Sequence, residues 1–316
     1  MVEQDNITKS KAIHRRTGRT FYYATRLLPD RVRNATYVLY AFFRVADEVV
    51  DDADGVSSEQ QRRRLEELRA EALGEVEPES PVLAAFQEVR AENGIDDATV
   101  EEFIDAMATD IGKRRYRNYE ELEAYMGGSA VAVASMMTAV MDPDDPETAR
   151  SHAKALGEAF QLTNFLRDVR EDVIERDRIY LPETTLAEHG VTAEQIERFE
   201  MDENFAAVMQ AELARTERLY REGVAGIKYL PEDCQLPVLL AAVLYAEHHR
   251  LIRNCGYDVL NQEPELGTLR KLSLVVRTRW RWQWSNDPEE VFRRVSAVGG
   301  ARSPSRAPHH ESLPAR

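Results

Sequence analysis

Residues 161–182 read QLTNFLRDVREDVIERDRIYLP, and within them Gln161, Asn164, Asp168 and Asp172 follow one another at steps of three, four and four. That spacing places the four polar side chains on one face of a helix. Leu162, Phe165, Leu166, Val169 and Val173 supply apolar surface beside the stripe, so the segment reads as a helix with one side packed and one side polar. Residues 37–55, YVLYAFFRVADEVVDDADG, repeat the arrangement, with Tyr40, Arg44, Asp47 and Asp51 stepping by four, three and four. Phe43, Ala46 and Val50 form a separate apolar stripe, expected to pack outward against neighbouring helices. Like charges four residues apart cost an isolated helix roughly 0.2–0.5 kcal/mol, and more where water is excluded, so each aspartate pair asks for a compensating cation.

The helical period extends outward from these two segments. Apolar residues recur at intervals of three and four through most of the chain, as at Leu65, Leu68 and Ala72, or Phe103, Ile104 and Met107. Glycine and proline gather around residues 27–30, 74–81, 141–146 and 181–182, which read as inter-helix loops. No run of alternating β-branched residues of strand length separates them, so the expected fold class is all-α. No fixed-period repeat and no long linker interrupts residues 1–295, expected to form a single domain. Residues 296–316, SAVGGARSPSRAPHHESLPAR, offer little to bury and read as a disordered tail.

Composition narrows the function. With 316 residues, 43% of them hydrophobic, the chain can bury a sizeable core. A formal net charge of -15 and a pI near 5.1 exclude a nucleic-acid partner, because phosphate binding needs an excess of cations. Lysine occurs only at Lys9, Lys11, Lys113, Lys154, Lys228 and Lys271; abundant acids with scarce lysine fit a salt-adapted (halophilic) source, though an ordinary acidic surface serving solubility gives a similar count. Cys234 and Cys255 lack metal-site spacing and fit a reduced setting. The first residues carry no apolar signal-peptide core, and no stretch reaches roughly 18 uninterrupted apolar residues. The expectation is a cytoplasmic protein, at most peripheral at a membrane. Trp280, Trp282 and Trp284 alternate with Arg279 and Arg281, which suits either interfacial anchoring or the packing of a last helix.

Two helices that each present an aspartate pair can face one another across a cavity, as in metal–carboxylate bundles. Magnesium, or manganese in its place, is the matching ion, since it takes hard oxygen ligands and combines a few carboxylates with substrate phosphate. An acidic chain carries such pairs by chance on solvated faces, and either one alone is explained that way. Both together, each with amide or cationic companions, point to a site.

At these residues the sequence resembles the squalene and phytoene synthase family. Asp47-Glu48-Val49-Val50-Asp51 is similar to its first DxxxD motif, residues 161–172 to its second, and Tyr180-Leu181-Pro182 continues the second. The resemblance runs from about Thr17 to Lys271 and implies an all-α isoprenoid synthase bundle around a central cavity. It further implies Asp47, Asp51, Asn164, Asp168 and Asp172 as metal or metal-bridged diphosphate positions, with Gln161 nearby. Thr20, Phe21, Tyr40, Arg44, Arg167 and Tyr245 would contact substrate, and Arg44 would act with the four aspartates in catalysis. Taken alone, Tyr40 and Tyr245 read more often as core aromatics, and Arg167 as the partner of a nearby acid. Where the family carries a run resembling YxxVAGTVG, residues 125–134 read YMGGSAVAVA; that departure bears on chain length and product. The wording QLTNFLRDVRED leans toward phytoene synthase, so the implied reaction joins two geranylgeranyl diphosphates through a cyclopropylcarbinyl diphosphate, without NADPH. Squalene or dehydrosqualene synthesis from farnesyl diphosphate is the alternative, and no Gly-rich dinucleotide fingerprint is present. A reading of another class is a non-catalytic prenyl-lipid-binding or assembly protein, which would have no need of all four aspartates. The oligomeric state is not implied.

Overall fold

Many helices of this chain begin where a short polar side chain accepts from the orphan N–H groups of a first turn. The computed structural model describes residues 24–51 and 56–298. Helix α1 (Asp30–Asp51) leads into α2 (Ser58–Leu73), which Ser57 and Gln60 open as a reciprocal capping box and Gly74 closes at φ 78°. Ser80 with Pro81 starts α3 (Pro81–Asn93), and Asp96 starts α4 (Asp97–Asp110). Asn118 caps α5 (Tyr119–Met126), continued through a π turn at Gly127–Val131 into α6 (Ala132–Met141). Asp145 with Pro146 opens α7 (Pro146–Arg167), and α8 (Val169–Arg176) follows directly. Short helices α9 (Glu183–Glu188) and α10 (Ala193–Glu197) lead to α11 (Glu203–Ala225) and α12 (Glu232–Asn254). Two further helices, α13 (Thr268–Trp282) and α14 (Pro288–Val295), complete the order. Among the described residues the one β feature is an isolated bridge between Arg115 and Ile179, so the expected all-α class holds.

Apolar side chains gather in separate clusters around a central space. Val38, Phe42 and Ala46 of α1 pack with Leu65, Phe86, Phe103 and Met136 on one side, where the Phe42 and Phe86 rings stack 3.8 Å apart. Leu156, Tyr220, Leu244, Leu274 and Phe292 join α7, α11, α12, α13 and α14 on the other. Val298 is 3% exposed and packs into this second cluster, beyond the Val295 boundary set by composition; residues 299–316, with the expected tail, lie outside the described residues. Ala46 and Val50 pack away from the polar stripe as expected, and Phe43 packs against the same cluster while also facing the central space. It lines the central cavity, with its ring 5.0 Å from that of Phe103, because its position three residues after Tyr40 keeps it on the edge of the polar face.

The helical run Tyr119–Met141 is long and apolar enough to cross a membrane by length and composition, and half of its most apolar window is buried inside the protein. Small residues let its neighbours approach. A Cβ on Gly128 would stand 2.4 Å from the Glu102 carbonyl oxygen and 2.5 Å from the Ala106 Cβ, and one on Gly157 would stand 2.9 Å from the Ala130 carbonyl oxygen. Backbone cannot swing aside as a flexible side chain can, so Gly128→Ala is expected to cost about 1–3 kcal/mol by forcing α4 from the π turn. A urea unfolding midpoint equal to that of the parent protein would refute this contact.

Candidate active site

A cavity of about 800 Å³ occupies the centre of the bundle, within the range of ~300–1,000 Å³ usual for small-molecule sites. Four helices give it a direction. Along α5–α6 its lining passes from Tyr125 through Ser129, Val133 and Met137 to Met141; along α7 it passes from Ala149 through Gly157 and Phe160 to Gln161, Asn164 and Asp168. Helix α1 contributes Thr36, Tyr40, Arg44, Asp47 and Asp51, and α12 contributes Val238, Ala241 and Tyr245. Acids and arginines therefore collect at one end, and methyl, methylene and aromatic surface lines the rest. At ~1.5 Å rise per residue, the wall from Tyr125 to Met141 is about 24 Å long.

The sequence-predicted residues Tyr40, Arg44, Asp47, Asp51, Gln161, Asn164, Arg167, Asp168, Asp172 and Tyr245 all line this one cavity. Thr20 and Phe21 lie outside the described residues. One local expectation is corrected. The second motif is not a continuous helix, because Asp168 (φ −103°, ψ 18°) separates α7 from α8. The hydrogen bonds nonetheless carry the register across, since Asp168 N–H donates to the Asn164 carbonyl and Asp172 N–H donates to the Asp168 carbonyl, both at 2.9 Å. Asn164, Asp168 and Asp172 thereby still face the same space.

Arginines tie the acidic end together. The Arg176 guanidinium lies 3.5 Å from Asp51 and 3.3 Å from Asp172, bridging the two aspartate-bearing segments. Burial opposes the charge of Arg176, yet Asp51 and Asp172 outweigh it and raise its pKa. Arg44 stands 3.8 Å from Asp47 and 3.5 Å from Glu48. Arg167 Nε donates to Asp168 at 2.6 Å, with a second contact from its Nη2, so the pairing of Arg167 with a neighbouring acid is real and sits inside the cavity. Deeper, Tyr125 OH donates to Asp110 Oδ2 at 2.8 Å, with Arg178 Nη1 3.7 Å from the same oxygen.

These cations do not balance the acids. Burial first, and then the Asp51 carboxylate, push Asp47 up to about 7. Burial also pushes Asp172 up to about 7, with Asp168 adding to it against the pull of Arg176. Asp110 is raised to about 6, mainly by burial, against Arg178 and the Tyr125 hydroxyl. The Asp47 side chain keeps 43% of its surface open to the cavity, against 11% for Asp172. Water screens the first more than the second. Three carboxyls driven toward protonation mark an end of the cavity that is short of positive charge. Among the described residues no three His, Cys, Asp or Glu side chains form a preformed metal cluster.

Sequence reading missed Asp110, Arg176 and Arg178. Arg176 was detectable, since it continues the stripe four residues beyond Asp172. Asp110 opens DIGKRRYRNYEELEAY (residues 110–125), a stretch that shares the resemblance, and Arg178 lies within residues 161–182, but no spacing rule paired the two.

The chain matches the squalene/phytoene synthase family model over residues 14–280. It is 32% identical over 273 residues to the 15-cis-phytoene synthase of Synechococcus elongatus, covering 83% of this chain and 88% of the relative. It is 35% identical over 267 residues to the phytoene synthase of Cereibacter sphaeroides, covering 81% and 75%. The crystal structure of a dehydrosqualene synthase in complex with ligand superposes with a TM-score of 0.79 at 26% identity, covering 89% of this chain and 98% of that one. A squalene synthase from Alicyclobacillus acidocaldarius shares the fold with a TM-score of 0.70 at 22% identity, covering 80% and 95%. An all-α bundle with its aspartate motifs gathered at one end of an apolar cavity, matched by the family model over most of its length, belongs to the squalene/phytoene synthase family of prenyltransferases.

Proposed function

We propose that this protein condenses two geranylgeranyl diphosphates head to head, through a cyclopropylcarbinyl diphosphate, to phytoene, with magnesium as the ion of its acidic end. The observation that carries the reading is the polarity of the cavity, with charge at one end and some 24 Å of apolar wall beyond it. A prenyl diphosphate has the same two parts. The phytoene synthase relatives favour this product over squalene or dehydrosqualene, whose synthases are the structural neighbours.

The donor set fits magnesium. Asp47, Asp51, Asn164, Asp168 and Asp172 offer hard oxygens without a closed cage, which leaves coordination positions for water and diphosphate. When bound, the ion would draw charge from the departing diphosphate oxygen. Arg44, Arg167 and Arg176 can donate to diphosphate oxygens as carbon–oxygen cleavage concentrates charge there. Phe43, Phe160, Phe165 and Tyr245 line the adjacent wall; they shield the allylic cation from water and present ring faces to it.

Incubation with magnesium and either the C20 or the C15 diphosphate, with and without NADPH, followed by hydrocarbon identification, tests the reading. Phytoene from the C20 substrate without NADPH is expected. A strict NADPH requirement for squalene would overturn the product assignment, and no diphosphate release from either substrate would overturn the enzyme reading.

The raised carboxyls add a pH prediction. Asp47 and Asp172 move from an ordinary 3.8 to about 7, so between those values the folded chain binds more protons than the unfolded one. The metal-free fold therefore gains stability as pH falls through 7 and loses it as pH rises. Magnesium competes with those protons, so it is expected to raise Tm more at pH 8 than at pH 6. Equal thermal shifts at both pH values would remove Asp47 and Asp172 from the ion's site.

A further inference from the structure

A second feature lies on the outer face of α13. Leu269, Leu272, Val276 and Trp280 are 85%, 60%, 58% and 54% exposed, and Trp284, just past the helix end, is 77% exposed. Steps of three and four between the first four make a continuous stripe along the helix. The opposite face holds the helix to the protein through buried Leu274 and Thr278, with Trp282 packed against the same cluster. The three tryptophans thus divide, one inward and two outward. Trp280 and Trp284 meet edge to face at 6.5 Å, and the Arg281 guanidinium sits 4.9 Å over the Trp280 ring.

Charge selects the occupant. In a chain of net charge -15, the segment TLRKLSLVVRTRWRW contains Arg270, Lys271, Arg277, Arg279 and Arg281 and no acid. Arg270 is engaged with buried Glu247. Arg277 and Arg279 are exposed, and helical geometry sets them on opposite flanks of the apolar stripe. A protein partner would be served by the apolar stripe alone. Flanking cations with outward tryptophans match the layered chemistry of a bilayer surface, where acyl chains lie beneath anionic headgroups. Local rather than net charge governs such contact, because fields beyond a Debye length of ~8–10 Å are screened.

We propose that the outer face of α13 docks the protein on the surface of a membrane containing anionic phospholipid, with Leu272, Val276, Trp280 and Trp284 entering the acyl boundary and Arg277 and Arg279 meeting headgroup phosphates. The full chain is mixed with phosphatidylcholine vesicles holding about one third phosphatidylglycerol, and with pure phosphatidylcholine vesicles. Sedimentation with the anionic vesicles and a blue shift of tryptophan emission are expected. Leu272→Ser/Val276→Ser/Trp280→Ser should lower partitioning about tenfold or more, and Arg277→Glu/Arg279→Glu should abolish the preference for anionic lipid. Single Trp284→Ser, at a side chain too exposed to hold the fold, should weaken binding and reduce the blue shift. Absence of wild-type association, or unchanged association of both Trp284→Ser and the triple variant, overturns the proposal. Dimerisation in solution that the triple variant relieves, without vesicle binding, gives the face to a second copy and overturns it too.

Discussion

Asp47→Ala and Asp168→Ala are each expected to lower diphosphate release roughly a thousandfold or more while leaving the helical fold in place. The two halves of that expectation share a cause. Asp47 is raised to about 7 by burial and by Asp51, so removing it relieves that repulsion in the metal-free protein, and its partner Arg44 keeps Glu48 at 3.5 Å. Asp168 is bound by Arg167, whose side chain is already 29% exposed, so water can satisfy the guanidinium once Asp168 is gone. Stability is therefore spared. Catalysis is not, because a carboxylate that is costly to keep in the free protein becomes favourable once cation and diphosphate share the space. Single-turnover diphosphate release paired with far-UV circular dichroism separates the effects. Near-normal release by both variants, with full helicity, would refute their proposed roles.

The aspartate stripes were legible because helical spacing is local: Asp47 to Asp51 and Asp168 to Asp172 each fit within one helical turn. The facing of those stripes across a cavity was legible only as a shared chemistry, two sets of acids each with amide or cationic companions. What lay beyond reach was non-local. Arg178 meets Asp110 across 68 positions, and although Asp110 opens a stretch that shares the resemblance, no local spacing points from it to Arg178. The break at Asp168 was hidden because no proline or glycine marks it; its backbone departs from helical geometry while keeping its hydrogen bonds. At Phe43 the two stripes meet. Its ring packs against the apolar cluster as the division of α1 into stripes predicts, and it also lines the cavity beside Tyr40 and Asp47.

Arg178→Ala is expected to cost about 3–5 kcal/mol of folding stability at pH 8, among the largest effects of any single substitution outside the apolar clusters. Arg178 is 5% exposed and Asp110 7%. Its guanidinium donates to the Asp110 carbonyl and, at 3.3 Å, to the Tyr180 hydroxyl, while lying 3.7 Å from the Asp110 carboxylate. Tyr125 donates to Asp110 Oδ2, and Oδ1 has no hydrogen-bond partner. Burial already holds Asp110 near 6 against the pull of Arg178. Without that pull its pKa rises further, and at pH 8 the folded chain must either carry a buried unpaired carboxylate or take up a proton from dilute supply. Lowering the pH to 5 supplies the proton, so the deficit of Arg178→Ala shrinks there. Replacing both partners removes the stranded charge altogether. Arg178→Met/Asp110→Asn should therefore be more stable at pH 8 than Arg178→Ala, although it has lost more native interactions. Urea midpoints of the three proteins at pH 5 and pH 8 decide the matter. A double variant as unstable as the single one, or a deficit that does not change with pH, would show that Arg178 contributes packing and backbone contacts rather than charge.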